Sequence, residues 1–204
     1  MPSPDASGTP ALTLASASPR RLELLRQLGY APRVRVAAVD ETPHPTEGPQ
    51  TLVRRLARDK ALAVWHALPE GIVLAADTVV VQGEQIFGKP RDFAEAQRMY
   101  AALGGRWHRV LTAVAIYDGQ RWYRGLSRSA VLLRPLSRAE AAAYWASGEP
   151  WDKAGAYGIQ GLGASFVQSL RGSYSGVMGL PLYETATLLR AVGLSPPFLR
   201  DRHE

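Results

Sequence analysis

Apolar residues recur along this chain in two rhythms, and the switches between them mark out the elements. ALTLAS over 11–16 reads as a strand, and a helix follows over 19–28. Ser18 suits the N-cap, Pro19 the first helical position, and Leu22, Leu25 and Leu28 keep helical spacing. PRVRVAAV (32–39) alternates as a strand, DETPHPTEGPQ is a loop, and residues 50–67 set Leu52, Leu56, Ala63 and Val64 near a helical period with charges between them. Two β-rich runs, IVLAA and TVVVQ, then flank Asp77, with a GEQ turn and a tight GKP corner behind them. A helix over 92–103 leads into WHRVLTAVAIYDGQRWYRGLSRSAVLLR, where D-G at 118–119 predicts a hairpin of two long antiparallel strands. SRAEAAAYWASG has a cap at Ser137, an early Glu140 and a closing glycine, the marks of a helix over 138–147. The glycine-rich stretch 148–181 reads as loops around one strand at 164–170, and PLYETATLLRAVG is a last helix.

Helices and strands that alternate around a central antiparallel pair argue for an α/β fold with a mixed sheet and flanking helices. The 204 residues, 46% hydrophobic and 21% charged, suit one sizeable core. A single domain is expected over 11–195, between a disordered tail at 1–10 and a C-terminal tail at 196–204. The net charge of +6 and the pI near 9.9 favour a polyanionic partner without choosing among nucleotide, nucleic acid and acidic membrane. The absence of cysteine excludes disulfides, thiolate catalysis, zinc–thiolate sites and iron–sulfur clusters, which makes the cytoplasm the expected compartment. MPSPDASGTP lacks the pattern of a signal peptide, and no stretch approaches the roughly 18–20 apolar residues of a membrane span. A soluble protein without a membrane partner is expected.

Familiar catalytic signatures are mostly missing: there is no G-x-x-x-x-G-K-[ST], GLGASF lacks the third glycine of a dinucleotide fingerprint, and GSYSG is misspaced for a nucleophile elbow. His44, His66, His108 and His203 are scattered without metal-ligand spacing. What remains is a set of charges beside turns: Arg20 and Arg21, Asp40 and Glu41, Lys60, Asp77 and Lys89. Phosphate chemistry needs this mixture, because cations and helix N–H groups hold phosphate oxygens while carboxylates hold a metal and orient water. Taken singly, Lys60 or Glu41 reads as a charge on a solvated face. Asp77 is different, since an aspartate inside VLAADTVVV is costly unless partnered; it is either a metal-binding or catalytic carboxylate or a turn residue capping a break between two strands. LASASPRR adds a second oddity, two arginines where the helix dipole is already positive. A phosphate chain bound there would turn them to use; otherwise they face solvent or pair with a neighbour such as Glu23.

Three blocks in order, SASPRRLELLRQLG, AADTVVV followed by GKPRD, and DKAGAYGIQGLGASF followed by GLPLYET, resemble the Maf family of nucleoside triphosphate pyrophosphatases. The resemblance implies a cytoplasmic α/β enzyme of two lobes around a cleft, similar in shape to inosine triphosphate pyrophosphatases. Such enzymes cut a nucleoside triphosphate between the α and β phosphates with a divalent cation, Mg or Mn, as house-cleaning of the nucleotide pool. By motif match Asp77 is implied as proton acceptor, Arg20, Thr78 and Gln160 as specificity positions, and Ser16, Arg21, Glu41, Lys60 and Lys89 as polar cleft residues. DKAGAYGIQG resembles the branch acting on dTTP and UTP rather than the one preferring 7-methyl-GTP. Gly104 departs from the serine that relatives often carry, a difference expected to touch a helix end rather than the chemistry. A glutamine amide can donate to O4 of uracil or thymine while accepting from N3–H, but it can also turn to meet cytosine, so Gln160 needs neighbours that fix its orientation.

The mechanism this implies has a metal held by Asp77 and Glu41 with substrate oxygens, Asp77 orienting and deprotonating the attacking water, and Arg20, Lys60 and Lys89 meeting the charge of the departing pyrophosphate. A homodimer is left open, and no stable nucleic-acid complex is expected. Two rival readings are a nucleic-acid-binding module, for which RWYRGLSR is the candidate stretch, and a non-catalytic nucleotide-binding regulator of cell division.

Overall fold

A parallel start, with helices as crossovers, places the first candidate residues. In the computed structural model, which describes residues 11–36, 38–196 and 198, β1 (Leu12–Ala15) is followed by α1 (Pro19–Gln27), β2 (Arg33–Arg35), α2 (Pro49–Ala67) and β3 (Ile72–Gln82). β1 pairs in parallel with both β2 and β3. β4 (Gln85–Phe87) folds back antiparallel on β3. Then come α3 (Phe93–Leu103), β5 (Trp107–Tyr117), β6 (Trp122–Leu133) and α4 (Arg138–Ala146), three 3-10 turns, β7 (Val167–Arg171), α5 (Tyr174–Met178) and α6 (Leu182–Ala191). The sheet has seven strands in the order β2-β1-β3-β5-β6-β7, with β4 on β3, and β7 runs antiparallel to β6. This is the expected mixed α/β sheet with helices. No helix among the described residues is long and apolar enough to cross a membrane.

The departures from the sequence reading have local causes. β3 is unbroken, eleven residues long, with Asp77 at its middle, so the β-rich runs on either side are one strand and Asp77 is not a turn residue. Flanking valines and nearly complete burial keep the backbone extended through it. β2 is only three residues long and wholly exposed; as the edge of the sheet it has a partner on one side and no face to bury. The expected strand at 164–170 begins at Val167, because Gly161–Phe166 winds into a 3-10 turn first. Ser18 sits at the N-cap of α1 without capping it through its side chain; its backbone N–H instead donates to Ser16 Oγ at 3.1 Å. At Gly104, the C-cap of α3, a Cβ would stand 2.9 Å from the Tyr100 carbonyl oxygen and 3.1 Å from Pro135 Cα, so glycine there serves the helix end. The tail expected over 1–10, and most of that over 196–204, lies outside the described residues.

By their internal contacts the described residues divide into two compact units, one of those up to 77, 112–126 and those from 179 on, the other of 78–111 and 127–178. In the first, Ala15, Ala61, Val64, Val73 and Ala75 pack together from β1, α2 and β3, with Trp65 and Trp122 against them. In the second, Val80, Phe87, Tyr100, Leu103, Leu133 and Tyr144 belong to one buried cluster.

α4 carries the clearest capping signal, and the structure realises it in full. Ser137 Oγ accepts the Glu140 N–H while the Glu140 carboxylate accepts the Ser137 N–H. Ser137→Ala removes the first of these contacts and is expected to lower stability by about 1 kcal/mol, read as a shift of the unfolding midpoint without a change in slope.

Candidate functional site

Asp77 is the centre of the first unit's charged cluster. Its side chain is 9% exposed, and Oδ1 accepts a hydrogen bond from Lys60 Nζ at 2.6 Å. The same ammonium meets Glu41 Oε1 at 2.7 Å, where the Glu41 side chain is 58% exposed. One cation thus joins a buried carboxylate on β3 to an exposed one on the loop after β2. Lys60 can reach both because it projects from α2, whose Ala61 and Val64 pack among the core residues of β1 and β3. Burial raises the Asp77 pKa above the ordinary aspartate value; Lys60 and Arg21 oppose that rise, and Glu41 adds to it.

The two arginines of LASASPRR part company. Arg21 Nε donates to the Gly179 carbonyl at 2.8 Å and Nη1 to Ser16 Oγ at 3.3 Å. Desolvation lowers its pKa from the usual arginine value, with the attraction of Asp77 working the other way. Ser16, itself buried, is therefore shared between the Ser18 N–H and the Arg21 guanidinium. Arg20 is partly buried beside it in the first turn of α1, which contains no acidic residue. The alternative partner, Glu23, is exposed.

The loop that carries Glu41 is held by a pair the sequence did not reveal. Arg55, five residues before Lys60 on α2, donates through Nε and Nη2 to the two oxygens of Glu47, both at 2.8 Å, and through Nη2 to the Thr42 carbonyl at 3.0 Å. Glu47 also accepts the His44 N–H, and the Arg55 hydrogen bonds hold its pKa down at about 2. Asp40, exposed, accepts the N–H of Thr42 at 2.9 Å, and that contact, with the nearby Arg55 charge, holds its pKa below the ordinary aspartate value.

Ser16, Arg21, Glu41, Lys60 and Asp77 are thus brought together within the first unit. Thr78, Lys89 and Gln160 belong to the second. Thr78 follows Asp77 on β3 and is partly buried; Lys89, in the GKP corner after β4, is exposed. Gln160 lies in the loop before the Gly161–Phe166 turn, and its Oε1 is buried with no hydrogen-bond donor among the described residues. A carboxylate that sequence reasoning passed over organises that loop: Glu149 accepts N–H donors from Leu162 at 2.8 Å and Gly163 at 2.9 Å. The signal that could have pointed to it is the glycine spacing of GIQGLG, since a Cβ at Gly161 would fall 2.4 Å from Glu149 Oε2.

No group of three His, Cys, Asp or Glu side chains among the described residues forms a ready metal cage. Asp77 and Glu41, whose carboxylates both meet the Lys60 ammonium, are donors of the kind that fits magnesium or manganese, which take one or two protein carboxylates and complete their shell with water and phosphate oxygens. RWYRGLSR forms the turn and first part of β6, where Trp122 stacks on Tyr117 at 4.6 Å and so spends its face inside the protein. The stretch is strand, as its alternation predicts.

Comparisons with known proteins show the family of the chain. The family model described as Maf-like protein matches residues 11–192. A protein of Aromatoleum aromaticum named dTTP/UTP pyrophosphatase is 51% identical, over 88% of this chain and 94% of its own. A protein of the same name from Bordetella pertussis is 52% identical, over 94% of this chain and 97% of its own. Among solved structures, the Ham1 protein of Staphylococcus aureus aligns over 91% of each chain at 13% identity with a TM-score of 0.45. A match that runs from β1 to the end of α6, with relatives half identical over nearly their whole length, makes this chain a member of the Maf family.

Proposed function

We propose that this protein hydrolyses dTTP and UTP between the α and β phosphates, yielding the nucleoside monophosphate and pyrophosphate. The observation that carries the reading is the convergence of Asp77 and Glu41 on Lys60 with Arg21 close by, in a chain about half identical to proteins named for this activity. Asp77 and Glu41 would hold a magnesium or manganese ion, which when bound supplies neutralisation of the triphosphate charge.

The chain's own residues do the rest. Asp77 orients the attacking water and takes its proton, and a pKa lifted by burial makes its carboxylate a better base than an exposed aspartate. Lys60, hydrogen-bonded to it, keeps the carboxylate oriented and adds positive charge where phosphate oxygens arrive. Arg20 and Arg21 meet the phosphate chain at the start of α1, and that use explains why two cations sit where the helix dipole disfavours them. Lys89 meets the departing pyrophosphate, and Thr78 adds a hydroxyl next to the base. Gln160 reads the pyrimidine: N3–H of uracil or thymine supplies the donor that its buried Oε1 lacks, while its amide donates to O4. An unpaired buried acceptor costs about 1–3 kcal/mol, so this pairing favours bases that carry a proton at N3. Cytosine carries none. We place the enzyme in the cytoplasm, where a cysteine-free chain acting on nucleotide pools belongs.

A panel of nucleoside triphosphates with magnesium tests the reaction. Pyrophosphate release from dTTP and UTP is expected to exceed that from purine triphosphates; orthophosphate release, or equal rates across the panel, overturns the assignment.

Asp77→Asn tests the site and should separate activity from stability. Turnover is expected to fall by about 10²–10⁴. Stability should move the other way. A carboxyl whose folded pKa lies above its unfolded value stabilises the fold below the unfolded pKa, and that contribution disappears as pH rises through the folded pKa. The variant should therefore melt above the parent at pH 7, with the gap closing as pH falls toward about 4. Near-normal turnover in the folded variant removes Asp77 from the mechanism; a lower melting temperature at pH 7 means that Lys60 outweighs the cost of burial.

A further inference from the structure

We propose that Glu149 and Tyr144 are positioning residues for base selection: they pin the backbone on both sides of Gln160 and so fix which base edge its amide meets. The proposal rests on the reading of Gln160 as the residue that contacts the base.

Side chains from elsewhere in the chain hold the segment GIQGLG, residues 158–163. On the near side of Gln160, the Gly158 N–H donates to Tyr144 Oη at 3.0 Å. On the far side, Glu149 Oε2 accepts the Leu162 N–H at 2.8 Å and Oε1 the Gly163 N–H at 2.9 Å, capping the 3-10 turn that begins at Gly161. Tyr144 closes the circuit by donating its hydroxyl proton to Glu149 Oε1 at 2.7 Å. One phenol and one carboxylate therefore hold three backbone donors spread over six residues, and Gln160 lies between the pinned points.

The glycines are what this bracket requires. Gly161 has φ +77° and no room for a Cβ beside Glu149 Oε2. At Gly163 a Cβ would stand 2.3 Å from the Gly158 carbonyl oxygen and 2.5 Å from Tyr144 Oη. Just upstream, Ala156 holds a left-handed φ of 59°, unfavourable for a residue with a Cβ, and Tyr100 Oη donates to its carbonyl at 2.8 Å. The backbone approaching Gln160 is thus locked in a shape it would not adopt unaided.

The charge state suits the task. Tyr144, the two N–H groups and Lys153 together keep Glu149 ionised, below the usual glutamate pKa even though burial pushes upward. An anion with three donors on two oxygens cannot be replaced by an amide: Glu149→Gln keeps the size but turns an NH2 group toward donors. Leu162 is exposed and its released N–H can turn to water, whereas Gly163 is buried, so the loss falls on the shape of the loop around Gln160.

The test compares Glu149→Gln, Tyr144→Phe, Gln160→Ala and the double variant Glu149→Gln/Gln160→Ala, each checked for folding by its melting curve, with steady-state kinetics on dTTP, UTP, CTP and ATP. Glu149→Gln and Tyr144→Phe are each expected to reduce the preference for dTTP over CTP by about tenfold, as a rise in KM for dTTP with kcat changed less than about twofold. The double variant should discriminate no worse than Gln160→Ala alone, because Glu149 acts only through Gln160. Should Glu149→Gln not fold, Tyr144→Phe carries the test by itself. The proposal is overturned if the folded variants keep the parent preference, if they lose rate equally on every nucleotide, or if the effects of Glu149→Gln and Gln160→Ala add. An unchanged ranking in Gln160→Ala instead overturns the base-reading role itself, and the positioning proposal with it; a changed ranking there with Glu149→Gln and Tyr144→Phe unaffected removes the positioning proposal alone.

Discussion

Burying a carboxyl group in the middle of a β-strand is unfavourable, and much of the first unit is arranged around that one placement. Asp77 lies in an apolar run, with its backbone committed to β3 and its side chain almost sealed from water. Water cannot solvate the charge, so protein groups must. The Lys60 ammonium and, at longer range, the Arg21 guanidinium are those groups, and the raised pKa shows that their compensation is incomplete. Incomplete compensation suits the role of base proposed for Asp77. A carboxylate fully satisfied by its partners holds a weak claim on any further proton, whereas one left short of solvation takes it readily.

Helix α2 makes the arrangement rigid. It packs into the core with Ala61 and Val64, then uses two cations for two purposes: Lys60 for the buried Asp77 carboxylate and Arg55 for the loop bearing Glu41. Glu41 itself is exposed and long enough to adopt many rotamers. Its position near Lys60 is set by the bidentate Arg55–Glu47 pair, which has fixed fork geometry where a lone lysine would allow drift.

The sequence was most informative where the determining interactions are short-range. The strand and helix around LASASPRR, the D-G hairpin and the capping box at Ser137 can be read from a few neighbouring residues, and all three stand in the structure. It was least informative where a tertiary approach decides the outcome. The runs on either side of Asp77 read as two strands because aspartate is disfavoured within strands, yet burial and pairing on β3 outweighed that preference. Arg20 and Arg21 are indistinguishable by type and nearly so by position, and only the fold shows which one reaches Ser16 and Gly179. Arg55 and Glu47 look like any pair of surface charges, and no periodicity singles them out. Glu149 was hidden for a related reason: its partners are backbone N–H groups, which every residue but proline has.

The separation in sequence of these contacts also has a temporal meaning. Glu41, Lys60 and Asp77 lie within a short stretch of chain, so the carboxylates and their lysine can meet soon after β3 is made. Arg21 must wait for the Gly179 carbonyl, 158 residues further on. About a hundred residues separate Asp77 from Gly179, which at ribosomal speeds of about 5–20 residues per second is a delay of roughly 5–20 s. Arg21 therefore cannot be seated until the chain as far as Gly179 has been made, long after Glu41, Lys60 and Asp77 are all present.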